Sequence, residues 1–166
     1  MKGPMRQYLL TSLCLAASIA SAQPPANPSD TESVLLETYM HYFTVKEVLQ
    51  QCGSVVPDQS GNFSKTFADW ESRNRNEIAL VNSAFAKYFA SRAQDRQELT
   101  DAAPALAHEQ YLSSPYDRAL CMNSLTAFNT LRLMDYALRF PEHMQILKTR
   151  LASGTPDTAA DANAGR

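Results

Sequence analysis

The sequence predicts an all-α protein, a disulfide-clipped bundle of about four principal helices. Apolar residues recur at intervals of three and four along most of the chain, and no useful stretch alternates between apolar and polar residues as a strand would. Two cysteines beyond the N-terminal segment supply a disulfide. Helix-start and helix-stop signals divide the pattern into segments joined by short loops, which favours an up-down bundle.

Residues 1–22 have the pattern of a cleavable signal peptide. Lys2 and Arg6 precede an apolar run of about a dozen residues, too short to span a bilayer, and Ala20-Ser21-Ala22 supplies the small residues of a cleavage site. An uncleaved N-terminal membrane anchor is the alternative interpretation. We expect cleavage after Ala22 and an exported, periplasmic protein that does not span the membrane.

Length and charge limit the class of protein. The 166 residues suit one domain, and a hydrophobic fraction of 45% excludes a wholly disordered chain. The chain has 15 basic and 17 acidic side chains, and removing Lys2 and Arg6 leaves 13 − 17 = −4. A nucleic-acid-binding protein normally has a basic excess, so we do not expect nucleic acid as a partner.

Cysteine usage predicts one disulfide bond. Cys14 lies within the predicted signal peptide, which leaves Cys52 and Cys121 in the exported chain. In an oxidising compartment two such cysteines normally pair, although two free thiols are the alternative. The bond would bring the end of the first helix close to the start of the fourth.

Start and stop signals give the expected elements. Residues 23–30 are a Pro-rich linker, residues 31–152 form the helical domain, and the small, polar residues 153–166 form a disordered tail. A capping box precedes the first helix, Gly53 follows it, and Ser114-Pro115 is typical of a helix start. The expected helices span 31–52, 63–96 (long enough to contain a bend), a shorter segment that begins at Asp101, 115–139, and a last segment that reaches about Leu151.

Polar residues interrupt the apolar stripes of three predicted helices. Asn74 falls in the middle of its stripe beside Trp70, and Asp135 falls within another. One interpretation is a polar pocket inside the bundle. The other is a hydrogen-bonded core network, or side chains that reach water, with Asp135 paired to an arginine of its own helix. The candidate pocket residues are His41, Trp70, Asn74, Glu77 and Asp135.

The first helix has a second apolar stripe, formed by Leu36, Met40 and Phe43, roughly opposite its core face. In a small bundle that side would normally face water. Either another helix covers these residues or they form a surface for a partner protein. We take them as the candidate partner-binding residues.

Signatures of catalysis and cofactor binding are missing from the sequence. Glu37 and His41 could share a metal ion from one helix face, but a firm site needs three or four ligands. We therefore expect no cofactor, no metal and no catalytic residues. The leading hypothesis is an exported protein that binds another envelope or secreted protein, as an inhibitor, an immunity-type protein or an adaptor does. The alternative is a small-molecule-binding protein or an enzyme that uses the polar pocket.

Overall fold

The computed structural model describes residues 31–153, and this part of the chain is helical with no strand. The predicted fold class, an all-α bundle clipped by a disulfide, is confirmed. The predicted signal peptide and linker, and all of the predicted tail except Ser153, which ends α7, lie outside the described residues. The helices are α1 Thr31–Val55, α2 Ser60–Arg73, α3 Arg75–Tyr88, α4 Ala93–Ser113, α5 Arg118–Asn129, α6 Tyr136–Arg139 and α7 Pro141–Ser153, with a 3-10 turn at Pro57–Gln59 between α1 and α2.

The longest helix, α1, is the centre of the bundle and packs against α2, α3, α4, α5 and α7. Buried side chains point from α1 in several directions, as expected of a helix surrounded by others. The helix also continues past Gly53, where we expected it to stop. Val56, just beyond its end, is fully buried, so packing against the core extends the helix by another turn.

The predicted helix over 63–96 has its bend at Asn74, between α2 and α3, and its end at Arg96 is wrong because α3 ends at Tyr88 and α4 begins at Ala93. Asn74 has φ −98° and ψ 14°, outside the helical range. Together α2 and α3 run antiparallel to α1. The Tyr42 hydroxyl is hydrogen-bonded to Glu71 of α2, and Tyr39, one turn earlier in α1, stacks on Phe85 of α3. The predicted apolar stripe still faces the core, and Phe63, Trp70, Val81, Phe85 and Phe89 are buried.

Helix α4 begins at Ala93, so the expected start at Asp101 is wrong. The turn before it is held by Arg92, whose guanidinium lies over the rings of Tyr88 and Phe89, 5.0 and 4.6 Å from their centroids. Pro104 therefore lies in the helix interior rather than the first turn. It is on the exposed side, and the buried Ala103, Ala107 and Tyr111 keep the helix on the core despite the lost hydrogen bond.

The predicted helix over 115–139 is also wrong, because α5 ends at Asn129. Its N-cap is Asp117, whose carboxylate accepts the Leu120 N–H at 2.8 Å, and not Ser114. At its C-terminus the Leu133 N–H donates to the Ala127 carbonyl and Arg132 takes a left-handed φ of 52°. Glycine is the residue that usually adopts this left-handed conformation after a helix.

One disulfide joins Cys52 of α1 to Cys121 of α5, with their Cα atoms 5.3 Å apart. Both cysteines are fully buried. Among the described helices, none is both long and apolar enough to cross a membrane.

Candidate functional site

Polar residues from α1 and α2 meet at residues 134–136, where the chain enters α6; we call these residues the junction. The Trp70 indole N–H donates to the Met134 carbonyl at 2.9 Å. His41 Nε2 lies 2.9 Å from the same oxygen. A carbonyl oxygen only accepts hydrogen bonds, so Nε2 carries the proton and His41 is also a donor. One backbone carbonyl thus receives two buried side-chain donors.

His41 is held in its neutral form by its position. The side chain is 5% exposed and is packed edge-on against the rings of Trp70, Tyr136 and Phe140. Burial lowers the pKa of His41 to about 4, with the nearby positive charge of Arg139 acting in the same direction. At neutral pH this histidine is therefore a fixed hydrogen-bond donor without charge.

Asn74 connects the bend between α2 and α3 to the junction. Its amide nitrogen donates to the Trp70 carbonyl at 2.9 Å and to Asp135 Oδ1 at 3.2 Å. Its amide oxygen accepts the backbone N–H of Tyr136 at 2.9 Å. A single side chain, 2% exposed, therefore satisfies backbone groups of two separate segments, which explains why a polar residue occupies the middle of an apolar stripe.

Asp135 pairs with Arg73 and not with an arginine of its own segment. Arg73 Nη2 lies 3.3 Å from Asp135 Oδ1 and also donates to the Phe128 carbonyl at 3.0 Å. The expected pairing with Arg132 or Arg139 required one continuous helix, and the chain is not helical between α5 and α6. Arg73 thereby ties α2 both to the end of α5 and to the junction.

Tyr136 completes the network, because its hydroxyl donates to the Thr38 carbonyl of α1 at 3.0 Å. Burial raises the pKa of this fully buried phenol. Of the candidate pocket residues, the structure brings together His41, Trp70, Asn74 and Asp135. Glu77 makes no hydrogen bond or ion pair within the described residues. The converging polar atoms are bonded to one another and to the backbone, as in a satisfied core network.

The candidate partner-binding residues Leu36, Met40 and Phe43 are half-buried and packed against the core. Helix α4 runs beside them in the same direction as α1, since Tyr39 is bonded to Thr100 and Glu47 to His108. Leu36 and Met40 line a broad, open depression of about 660 Å³ together with Glu32, Ser33 and Glu37. The three residues therefore do not stand out as an apolar surface.

Residues 130–139, which we call the leucine segment, present a more exposed apolar surface. Leu131, Leu133 and Leu138 are 55%, 51% and 62% exposed. The sequence did not indicate this surface, because the predicted helix over 115–139 ran through these residues and its apolar stripe, with Leu131 and Leu138 in it, was expected to face the core. The segment also contains the junction, so its backbone is anchored to the interior while three leucines face solvent.

A cavity of about 280 Å³ lies beside the network, between α1, α2 and α3. Four aromatic side chains contribute to its wall, and we call it the aromatic cavity. The sequence did not indicate it, because Phe43 was assigned to the second apolar stripe of the first helix and Tyr39 to no stripe. Its lining is Tyr39, Tyr42, Phe43, Glu71, Ile78, Val81, Asn82 and Tyr136.

Metal-ligating residues do not cluster in the described part of the chain, where no three His, Cys, Asp or Glu side chains lie close enough to hold an ion. Glu37, considered above as a ligand beside His41, instead accepts a hydrogen bond from His143 Nε2 at 3.0 Å. Comparison of the chain with protein-family models, with curated proteins and with solved structures finds no match.

Proposed function

We propose that this protein is an exported, periplasmic protein that binds another envelope or secreted protein through the leucine segment. The observation that carries the proposal is the combination of a fixed backbone with exposed apolar side chains. Leu131, Leu133 and Leu138 are each more than half exposed, and the junction between them is bonded to buried residues. A preorganised segment loses little conformational entropy when it binds, which favours affinity.

Charge indicates the chemistry of the partner. Arg132 and Arg139 are exposed beside the leucines, while the one acidic residue of the segment, Asp135, is paired with Arg73. The segment is therefore locally basic on a chain whose exported part has more acidic than basic residues. We expect a partner with an apolar groove bordered by carboxylates, as in an enzyme blocked by an inhibitor or immunity-type protein.

The left-handed conformation of Arg132 also supports the leucine segment as the binding surface. A non-glycine residue with positive φ is strained, and such strain is found preferentially at binding and catalytic sites. A glycine at this position would relieve the strain but would remove the exposed guanidinium. Contact between the Arg132 guanidinium and a partner would offset the energetic cost of this backbone conformation.

A second candidate function is small-molecule binding. The aromatic cavity favours it more than the polar network does, because the polar atoms of the network are already bonded.

The experiment compares partner capture by three forms of the oxidised protein. These are the wild type, the variant Leu131→Ser/Leu133→Ser/Leu138→Ser, and a control, Leu106→Ser/Leu112→Ser, which removes two equally exposed leucines of α4. We expect the wild type and the control to retain the same saturable partner and the leucine-segment variant to lose it. With the purified partner, the dissociation constant should rise at least tenfold in that variant alone.

Three results would contradict the proposal. In the first, all three forms bind the partner equally, which would place the binding surface outside the leucine segment. In the second, none of them retains a partner from envelope and secreted extracts. Alternatively, the wild type could bind anionic lipid vesicles and the leucine-segment variant could fail to, which would assign the segment to a membrane surface.

A further inference from the structure

The aromatic cavity has the size and the wall of a small-ligand site. Its volume of about 280 Å³ is near the lower end of the range of ligand pockets, roughly 300–1,000 Å³. Tyr39, Tyr42, Phe43 and Tyr136 supply four aromatic rings, and Ile78 and Val81 supply aliphatic surface. A ligand of this volume is therefore a small organic molecule that contacts mainly ring carbons.

Tyrosine hydroxyls are not the groups that this cavity offers to a ligand. Tyr39 donates to Thr100 on α4, and Tyr136 donates to the Thr38 carbonyl. Tyr42 donates to Glu71 Oε1 at 2.7 Å, and burial together with this bond raises the pKa of Tyr42 to about 12. Tyr136 is fully buried and one face of Tyr39 is stacked on Phe85, so the ring surface open to a ligand belongs mainly to Tyr42, Phe43 and the other face of Tyr39.

Glu71 adds a carboxylate that forms no ion pair with any of residues 31–153. The sequence pattern predicts an ion pair between Glu71 and Arg75, one helical turn apart. The bend at Asn74 lies between them, and the pair does not form in the described residues. The neighbouring charges are paired elsewhere, Asp69 with Lys65 and Arg73 with Asp135. Glu71 is thus half-buried at the wall of the cavity with Tyr42 as its hydrogen-bond partner.

We propose that the aromatic cavity binds a small quaternary ammonium ion, with the rings of Tyr39, Tyr42 and Phe43 against its methyl groups and Glu71 balancing its charge. Aromatic faces attract such cations, and the attraction increases where the cation is desolvated. A quaternary ammonium also needs no hydrogen-bond acceptor, which fits a wall whose hydroxyls are committed to other partners. The leucine segment contributes Tyr136 to the cavity wall, but none of its exposed leucines lines the cavity, so the proposal does not depend on the function proposed for those leucines.

The test is a calorimetric titration of the folded, oxidised protein with choline chloride. A parallel titration uses the neutral isostere of choline, in which carbon replaces the nitrogen. We expect saturable binding of choline with one site per chain and binding of the isostere at least tenfold weaker. Absence of choline binding at millimolar concentrations, or equal binding of the two compounds, would overturn the proposal.

Two variants locate the site. Glu71→Gln removes the charge and keeps an acceptor for the Tyr42 hydroxyl, so it should fold normally and weaken choline binding about tenfold. Asp69→Asn removes one negative charge from the same helix, from a residue paired with Lys65 and absent from the cavity wall, and should leave binding unchanged. Equal effects of the two variants would mean that net charge alone attracts choline, which would overturn the assignment of Glu71.

Vesicles distinguish two sources of the same group. Binding of choline without binding of phosphatidylcholine vesicles assigns the cavity to a free solute. Binding of both assigns it to the lipid headgroup as well, and either result supports recognition of quaternary ammonium.

Discussion

Two of the links between the C-terminal half of the chain and α1 are built on opposite principles, and we call them tethers. The disulfide joins Cys52 to Cys121, which are 69 residues apart, and both cysteines lie in regular helix. The junction joins His41 to Met134, which are 93 residues apart, and holds backbone outside regular helix. The helices at the disulfide already satisfy their own backbone groups, so one covalent bond suffices. The junction needs a buried side-chain partner for each free carbonyl or N–H group.

Irregular backbone can therefore be fixed as firmly as a helix if the interior supplies matching hydrogen-bond donors and acceptors. Trp70, His41 and Asn74 supply them here. The disulfide fixes one point, whereas these three side chains fix the path of consecutive residues. Mutation and pH can separate the contributions that the two tethers and the neighbouring turn at Arg132 make to the free energy of unfolding.

Removal of the disulfide should have the largest effect. The double variant Cys52→Ala/Cys121→Ala should lose about 4 kcal/mol of unfolding free energy, because the unfolded chain regains the entropy of an open loop of 69 residues. Urea denaturation at pH 7 measures the loss, and reduced wild-type protein serves as the control. A loss below about 1 kcal/mol would show that packing alone holds this end of the bundle.

Acid should weaken the junction through His41. Its pKa is lowered from 6.5 to about 4 in the folded state, so between these values the unfolded chain binds a proton that the folded chain does not. Stability should therefore fall as the pH drops from 6.5 to 4, by about 3 kcal/mol in total. His41→Gln keeps an N–H donor and cannot titrate, so its denaturation midpoint should depend less on pH. Parallel pH curves for the two proteins would contradict this account.

Asn74→Ala should cost about 2 kcal/mol, because it leaves the buried Tyr136 N–H without an acceptor. The matched control is Glu77→Ala in the first turn of α3, because Glu77 makes no hydrogen bond or ion pair within the described residues, and this variant should change stability by less than about 0.5 kcal/mol. Thermal and chemical denaturation of the pair give the difference directly. If both variants behave alike, the junction is held by apolar packing and not by Asn74.

Arg132→Gly should have the smallest effect and the opposite sign. Glycine adopts positive φ without steric cost, so the variant should gain about 1 kcal/mol of stability. Arg132→Ala loses the same charge but keeps the strain, and we expect little change from it. A gain in both variants would attribute the effect to charge and not to backbone conformation.

Sequence reasoning recovered the features that depend on periodicity and composition. The fold class, the paired cysteines and the burial of Trp70 and Asn74 all follow from apolar spacing and from cysteine count. Each of these signals is contained within a single helix or a single pair of residues.

Helix ends were predicted less well, because tertiary contacts decide them. Asn74 is a bend because its side chain binds Tyr136, which is 62 residues away. Helix α5 stops at Asn129 without a glycine, and Arg132 takes the conformation that glycine usually signals. The leucine segment and the aromatic cavity both follow from these breaks, so no pattern local to either region indicated them.

Trp70 gives the protein a built-in optical reporter. It is the one tryptophan in the sequence, it is fully buried, and its indole N–H is bonded to Met134 of the junction. Its fluorescence therefore follows the opening of this tether, while far-ultraviolet circular dichroism follows the helices as a whole. Coincident transitions by the two probes would make the junction part of one cooperative unit, and an earlier fluorescence change would mark local release of residues 134–136.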